Sequence, residues 1–118
     1  MSLDKENKNQ AYRLGRLFAV LEKIQEDAQP GINATIRDRY YSAASSSPGS
    51  VFPVLLRLKV HHLAKLTQKT WYEQQIGEIV DGLNPKWPLH LPLPEQGYFA
   101  VGYYHQRQDF FKKKENNN

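Results

Sequence analysis

Basic side chains recur at helical spacing in the middle of the chain. Four of them occupy every fourth position: Arg57, His61, Lys65 and Lys69. On a continuous helix this spacing places all four on one face, about 6 Å apart along the axis. That interval is close to the distance between phosphates on an extended single strand, so the stripe is a candidate for binding a nucleic-acid backbone without reading its bases. A solvated helix edge is the alternative.

The charge of this region is higher than that of the whole chain. Residues 31–70 carry six bases and one acid, a net charge of +5, whereas the 118 residues together carry +4. Residues 71–83 follow with three acids and no base: Glu73, Glu78 and Asp81. Segregated charge creates a local field, and a positive field attracts anions and polyanions.

Further cations are predicted to extend the basic surface. Arg13, Arg16 and Lys23 gather on one flank of the first predicted helix, and Arg37 and Arg39 lie on the second. Tyr41 shares a face with Arg37, so it is a candidate for stacking on an unpaired base. Packing on a neighbouring side chain or a partner protein is the alternative. The predicted nucleic-acid-binding residues are Arg57, His61, Lys65, Lys69, Arg37, Arg39, Arg13, Arg16 and Lys23, with Tyr41 as the stacking candidate.

Catalytic constellations are absent from the sequence. His61 and His62 diverge by about 100° on a helix and cannot chelate one ion together. His62 falls among apolar positions, which favours a hydrogen-bonded core histidine. His105 and Asp109 lack a neighbouring nucleophile, and the chain has no cysteine, no HxxxH motif and no glycine-rich phosphate loop. We therefore predict no enzymatic activity, no metal, no cofactor and no small-molecule substrate.

The length and composition indicate one globular domain. The chain has 118 residues, 40% of them hydrophobic, and no apolar run approaches the roughly 20 residues of a membrane span. We predict a flexible N-terminus at residues 1–8, a single helical domain at 9–114 and a disordered tail at 115–118. No membrane contact is expected, and the absence of cysteine and of a signal peptide favours the cytoplasm.

Helical periodicity predicts an all-α fold, a five-helix bundle with a Pro-rich extended crossover before the last helix. The first helix ends at Gln29-Pro30-Gly31. The second runs over residues 34–45 with Asn33 as its cap. The third begins near Ser50, which leaves Pro53 in the first turn, and its apolar residues nearly encircle the axis. A helix of that kind belongs at the centre of the bundle.

The second half of the chain contains the last two predicted helices. Thr70 and Glu73 match a capping box for the fourth helix, which buries Tyr72, Ile76, Ile79, Val80 and Leu83 and closes at Gly82 with Asn84-Pro85. The crossover contains four prolines and is expected to pack through Leu89, Leu91 and Leu93. The last helix runs over residues 95–113 and buries Tyr98, Phe99, Tyr103 and Phe110. Its Gly97 and Gly102 would allow another helix to approach closely. Tyr40 and Tyr103 are predicted to face inward.

Three segments together resemble a known family: AYRLGRLFAVLEKIQEDA, ATIRDRYYSAASSSPGSVFPVLLRLKVHHLAKL and EQGYFAVGYYHQRQDFFKKK. They are similar to the C-terminal region of the CRISPR-associated type I-C large-subunit family. The likeness runs from about Asn9 to about Lys114, and the family's long N-terminal portion is absent. What remains resembles the small subunit of the type I-C Cascade complex, which genes of that family also encode as a separate product begun at an internal start. The resemblance implies that Met1 would be that start, and a boundary placed within a longer protein is the alternative.

The resemblance implies a non-catalytic, cytoplasmic, prokaryotic subunit of an antiviral surveillance complex. Its expected partners are the guide RNA and target DNA, including the displaced strand, the large subunit, the backbone subunits and adjacent copies of itself. The subunit would stabilise the R-loop. The alternative is a purely structural adaptor that docks neighbouring proteins through Trp71, Trp87 and Tyr98. A free-standing RNA-binding helical protein is a third, weaker hypothesis, because no RNA-reading motif occurs.

Overall fold

Five helices make up most of the described chain. The computed structural model describes residues 2–84 and 86–116, with side chains as far as Lys112. The helices are α1 (Gln10–Ala28), α2 (Ile36–Ser46), α3 (Pro48–Leu63), α4 (Lys69–Asp81) and α5 (Leu93–Asn116). The described residues are 72% helical and form no strand. The predicted all-α, five-helix fold is confirmed.

The centre of the bundle is α1, and the prediction that α3 lies there is wrong. α1 is buried along its length and contacts each of the other four helices, most extensively α5. α3 instead opens to solvent in its last turns, where Val60 is 62% exposed and His61 is exposed. The apolar residues around the axis of α3 predicted full burial, but a helix at the edge of a bundle can leave some of its apolar side chains in water.

Two glycines allow α1 and α5 to cross at backbone contact. A Cβ added at Gly15 would lie 2.0 Å from the carbonyl oxygen of Phe99, and one at Gly102 would lie 2.0 Å from that of Tyr12. The prediction for Gly102 is therefore confirmed. That for Gly97 is wrong, because a Cβ there would meet nothing within 4 Å. The backbones of α1 and α5 approach more closely at this crossing than any side chain would permit.

The starts of α2, α3 and α4 differ from the prediction. α2 is capped by Thr35 rather than Asn33: its hydroxyl accepts from the Asp38 amide at 3.1 Å, and the Asp38 carboxylate accepts from the Thr35 amide at 3.3 Å. α3 starts at Pro48, which suits the first helical position, so Pro53 lies in the interior. α4 starts at Lys69 without a side-chain cap, and the predicted capping box at Thr70 is absent.

The Pro-rich crossover is attached to the junction between α2 and α3. The amide of Gly49 donates to the carbonyl of Pro88 at 2.9 Å, and that of Leu91 donates to the carbonyl of Ser46 at 2.9 Å. Trp87 stacks on Phe52 with ring centroids 5.5 Å apart. Of the three leucines expected to pack, only Leu91 is buried. Leu89 is 70% exposed and Leu93 is 79% exposed.

The last helix is longer than predicted. It begins at Leu93 instead of Glu95 and continues to Asn116. Phe99, Tyr103 and Phe110 are buried as expected, whereas Tyr98 is 51% exposed and Val80, expected in the core on α4, is 39% exposed. Residues 117 and 118 of the predicted tail lie outside the described residues, and the predicted division at 1–8, 9–114 and 115–118 stays a prediction.

Among the helices described, none has both the length and the apolar content that crossing a lipid bilayer demands.

Candidate nucleic-acid interface

The main candidate interface is an exposed basic corner where α3 meets α4. We define the α3–α4 corner as the four residues of the predicted stripe: Arg57, His61, Lys65 and Lys69. All four side chains are exposed. Because α3 ends at Leu63, Lys65 lies in the turn that follows and Lys69 is the first residue of α4. The predicted continuous helical stripe is therefore wrong beyond His61, and the cations surround a bend in the chain.

The cations of the α3–α4 corner are free of carboxylate partners within residues 2–84 and 86–112. The ion pairs found there are those of Lys23 with Asp27 and of Arg107 with Glu22 and Glu26. Glu73 follows Lys69 at i+4, the spacing of a helical ion pair, yet the two form none. Unpaired surface cations keep their charge available for an external anion.

His62 is buried beside this corner. It is 7% exposed, and its Nδ1 atom has no hydrogen-bond partner in the structure. The prediction of a core position is confirmed, but the hydrogen bond expected for it is absent at Nδ1. Burial lowers the pKa of His62, and the nearby charges of Lys65 and His61 lower it further. A neutral imidazole therefore occupies the core while the positive charge stays on the surface around it.

On α2, the two arginines remain exposed. Arg37 and Arg39 are both exposed, and Arg37 donates through Nη2 to the hydroxyl oxygen of Tyr104 at 3.2 Å. The guanidinium of Arg37 also lies 5.7 Å from the centre of the Tyr103 ring. Arg37 is thus held against α5 by uncharged aromatic groups, and its charge is not neutralised.

Tyr41 is partly buried against the core, where its ring packs on other aromatic rings, which does not favour the predicted stacking on a base. Its ring meets Phe18, Phe99 and Tyr103 edge to face at centroid distances of 5.5, 5.5 and 5.1 Å. Burial raises the pKa of Tyr41, and Tyr104 adds to the shift. The inward position predicted for Tyr103 is confirmed, since it is 0% exposed. Tyr40, also predicted to face inward, is only partly buried against the core.

The predicted basic flank of α1 is largely internal. Arg16 is 2% exposed and donates through Nε to the side-chain oxygen of Gln106 at 3.0 Å. Burial lowers its pKa, and Arg13 lowers it further. The guanidinium of Arg13 fills the space beside Gly82, where a Cβ would lie 2.2 Å from it. Lys23 pairs with Asp27 at 3.3 Å. Arg16 is therefore buried and Lys23 is paired, while Arg13 is partly buried with its Nε atom unpartnered. All three are less exposed than the cations of the α3–α4 corner, which is the candidate interface.

A buried acid on α1, Glu22, forms a charged contact with α5 that the sequence analysis did not predict. Glu22 is 3% exposed and accepts from the Tyr103 hydroxyl at 2.7 Å and from Arg107. Burial alone would lower the pKa of Arg107, but the charge of Glu22 raises it overall. Burial, together with the hydrogen bond to Glu22, also raises the pKa of Tyr103. The contacts among Glu22, Tyr103 and Arg107 join α1 to α5. The i,i+4 spacing of Tyr103 and Arg107 places both on one face of α5, and it was the feature of the sequence that could have indicated this contact.

The remaining titratable side chains were compared with the needs of a metal site. No group of three or more His, Cys, Asp or Glu side chains in the described part of the chain is placed to hold a metal ion. His105 lies beside Tyr12, with 2.9 Å between its Nδ1 atom and the tyrosine hydroxyl. The arrangement offers exposed cations and aromatic rings, which are groups that bind and position ligands.

Comparison with known proteins agrees with the resemblance noted from the sequence. No curated protein sequence matches the chain. A family model described as CRISPR-associated protein (Cas_Csd1) matches residues 1–111, which include all of α1 to α4, the crossover and most of α5. Since the match spans nearly the whole chain, the protein belongs to the Cas_Csd1 family of CRISPR-associated proteins.

Proposed function

We propose that this protein is the non-catalytic small subunit of a type I-C Cascade complex in the prokaryotic cytoplasm. It contacts the sugar–phosphate backbone of the displaced DNA strand and of the guide–target duplex, and thereby stabilises the R-loop. Membership of a CRISPR-associated family supports the setting. The observation that carries the proposed role is the α3–α4 corner, whose cations are exposed and unpaired, whereas on α1 Arg16 is buried and Arg13 is partly buried.

Electrostatics explains why a small basic patch is sufficient for this role. Opening a DNA duplex against a guide RNA exchanges one duplex for another of similar stability, so modest backbone contacts can shift the balance. Arg57, Lys65 and Lys69 supply fixed positive charge to such contacts, and His61 adds charge when it is protonated. Contacts of this kind neutralise phosphates without selecting sequence, which suits a complex whose sequence specificity comes from base pairing.

The proposed partners follow from the same role. They are the guide RNA, the target DNA, the large subunit, the backbone subunits and adjacent copies of this chain. A single copy carries a net charge of only +4. Several copies placed side by side would join their basic corners into a longer positive track, so we propose that binding is strong only in the assembly.

A charge-reversal experiment tests the proposal. In the purified complex, Arg57→Glu with Lys65→Glu should weaken binding of a single-stranded oligonucleotide and slow R-loop formation, with the subunit still assembled. Both side chains are exposed and unpaired, so the fold should be unaffected. Lys5→Glu with Lys86→Glu makes the same change in net charge at exposed positions outside the corner and should have much less effect. Equal losses in the two variants, or no loss in either, would contradict the proposal.

The adaptor hypothesis is supported by a different surface. Three large apolar side chains are more than half exposed at the crossover and the start of α5: Leu89, Leu93 and Tyr98. Exposed apolar groups of this kind are typical of protein interfaces. The two tryptophans proposed for docking already contact aromatic rings within the protein: Trp87 stacks on Phe52, and Trp71 packs against Tyr72 and Phe110. If Leu93→Ser abolishes assembly and the charge-reversed variant binds DNA normally, the adaptor is the better account.

A further inference from the structure

A shallow cleft runs along the outer face of α5, away from the α3–α4 corner in sequence. It has a volume of about 300 Å³ and is lined by Ala100, Val101, Tyr104, His105 and Gln108. That volume is at the lower end of the range for small-molecule sites. Tyr104 is 48% exposed and Val101 is 42% exposed, so an aromatic ring and an aliphatic surface are both accessible from solvent.

The ring of Tyr104 is held in place from two sides. Its hydroxyl accepts from Arg37 of α2 at 3.2 Å, and its ring packs edge to face on Tyr103 with a centroid distance of 5.1 Å. Tyr103 is itself fixed by Glu22. A ring oriented before a ligand arrives loses little conformational freedom on binding, and the guanidinium beside it carries an unpaired positive charge.

His105 lines the cleft beside the buried Tyr12. The Tyr12 hydroxyl accepts from the amide of Asp4 at 3.0 Å and lies 2.9 Å from the Nδ1 atom of His105. This contact fixes the His105 ring next to the cleft with either of its nitrogens carrying the hydrogen, because a hydroxyl can both donate and accept. The Gln108 amide adds both a donor and an acceptor. The cleft therefore combines a flat ring, an aliphatic surface and polar groups.

We propose that this cleft binds one unstacked base of a single-stranded nucleic acid, with Tyr104 stacking on the base and Arg37 contacting the adjacent phosphate. The inference rests on the proposed function for its ligand class but assigns a second surface and a different interaction. Single-strand binding proteins combine aromatic platforms with cations in this way. The described residues that line the cleft include no carboxylate to repel a phosphate, and Arg37 supplies complementary charge.

The test compares two strands of the same length on the purified full chain. An oligothymidine offers bases and phosphates, whereas an abasic strand offers the phosphates alone. By fluorescence anisotropy, Tyr104→Leu should bind the oligothymidine at least about 5-fold more weakly than the wild type, because stacking on one base contributes about 1–3 kcal/mol. Its binding of the abasic strand should be unchanged. Tyr98→Leu, on the same helix but outside the cleft lining, is the matched control and should bind both strands as the wild type does.

Several results would overturn the assignment. The first is that Tyr104→Leu binds the oligothymidine with wild-type affinity, and the second is that it loses affinity equally for both strands. The third is that it binds both strands normally but no longer assembles into the complex, which would mean that the Tyr104 ring contacts a partner protein. If the Arg57 and Lys65 reversal still weakens binding in these cases, the proposed function stands without the base site. Failure of the wild type to bind either strand, alone or in the complex, would contradict both.

Discussion

At the scale of single residues, burial decides which charges serve the fold and which remain available. Arg107, on the same helix as Tyr103, and Arg37, on α2, both place the guanidinium 5.7 Å from the Tyr103 ring. Arg107 is bound by Glu22 and Glu26, whereas Arg37 donates to the hydroxyl of Tyr104 and pairs with no carboxylate among residues 2–84 and 86–112. The first arginine stabilises the bundle, and the second keeps a charge that a phosphate can use.

Removing the charge of Glu22 should destabilise the bundle. In Glu22→Gln, the Tyr103 hydroxyl keeps a neutral acceptor, but Arg107 loses its closest carboxylate in a partly buried position. We expect the free energy of unfolding to fall by about 2 kcal/mol, the range for a hydrogen bond to a charged group. Urea denaturation monitored by circular dichroism measures the change.

Glu26→Gln is the control for that substitution. Glu26 is 40% exposed and lies 3.5 Å from the same Arg107 nitrogen. An ion pair this exposed contributes little, so the expected loss is below about 0.5 kcal/mol. Equal effects of the two substitutions would mean that burial of Glu22 is not what makes its contact important.

The sequence predicted residue types better than residue orientations. It identified Arg57, His61, Lys65 and Lys69 as a basic group, and all four are exposed. It failed for Arg16 and Tyr41, because an amphipathic pattern gives the rotation of a helix only roughly. A small error in the rotation of a helix changes which of two adjacent side chains faces the core. The packing of α5 on α1 and α2 determines which aromatic rings face inward.

At the scale of helices, the crossing of α1 and α5 is the contact on which the rest depends. Gly15 and Gly102 bring the two backbones together, and Tyr103, Gln106 and Arg107 of α5 then reach Glu22 and Arg16 of α1. This crossing also places the outer face of α5, with Tyr104, next to Arg37 of α2. The candidate base site therefore depends on the glycine contact.

Gly102→Ala should weaken this crossing. Alanine favours a helix over glycine by about 1 kcal/mol, but the new Cβ would lie 2.0 Å from a backbone oxygen that has no side-chain freedom to move. The helices must separate, so we expect a net loss of about 2 kcal/mol in the free energy of unfolding. Thermal or urea denaturation measures it.

Gly97→Ala tests the same helix without the contact. A Cβ at Gly97 would meet nothing within 4 Å, so only the gain in helix propensity remains, and the variant should be more stable than the wild type by about 0.5–1 kcal/mol. The two substitutions should therefore have opposite signs. A stabilising Gly102→Ala would show that the helices are not in backbone contact.

The helical content was predictable from the sequence, but the ends of the helices and the identity of the central helix were not. Proline and glycine signals located three of the four connections, but the turn between α3 and α4, residues 64–68, contains neither residue. Four helix starts also differ from the prediction: α2 is capped by Thr35, and α3, α4 and α5 begin at Pro48, Lys69 and Leu93. The sequence analysis placed the cap of α2 at Asn33, two residues before the observed cap. At the observed start, α2 also contacts α1, since the amide of Ile36 donates to the Gln25 side chain at 2.7 Å. The central place of α1 likewise comes from tertiary packing, which no single helix pattern encodes.

At the scale of the whole molecule, the distribution of charge matters more than its total. The net charge is +4, yet residues 31–70 carry +5 and the exposed acids Glu73, Glu78 and Asp81 lie on α4. The bases of residues 31–70 and the acids of α4 are therefore segregated along the chain. A polyanion approaching the α3–α4 corner meets Arg57, Lys65 and Lys69 without nearby acids bound to them, and this arrangement predicts a specific dependence on salt.

Contacts with about four phosphates should give a slope near −3 when the logarithm of the binding constant for a single strand is plotted against the logarithm of salt concentration, because each neutralised phosphate releases about 0.7 counterion. The Arg57→Glu, Lys65→Glu variant loses two of these contacts, so its slope should be about −1.5 or shallower. Tyr104→Leu should keep the wild-type slope, since stacking releases no counterions. Anisotropy titrations over a series of salt concentrations measure all three slopes. A wild-type slope near zero would mean that the α3–α4 corner does not bind phosphate, and a shallower slope for Tyr104→Leu would assign its ring to the backbone instead of a base.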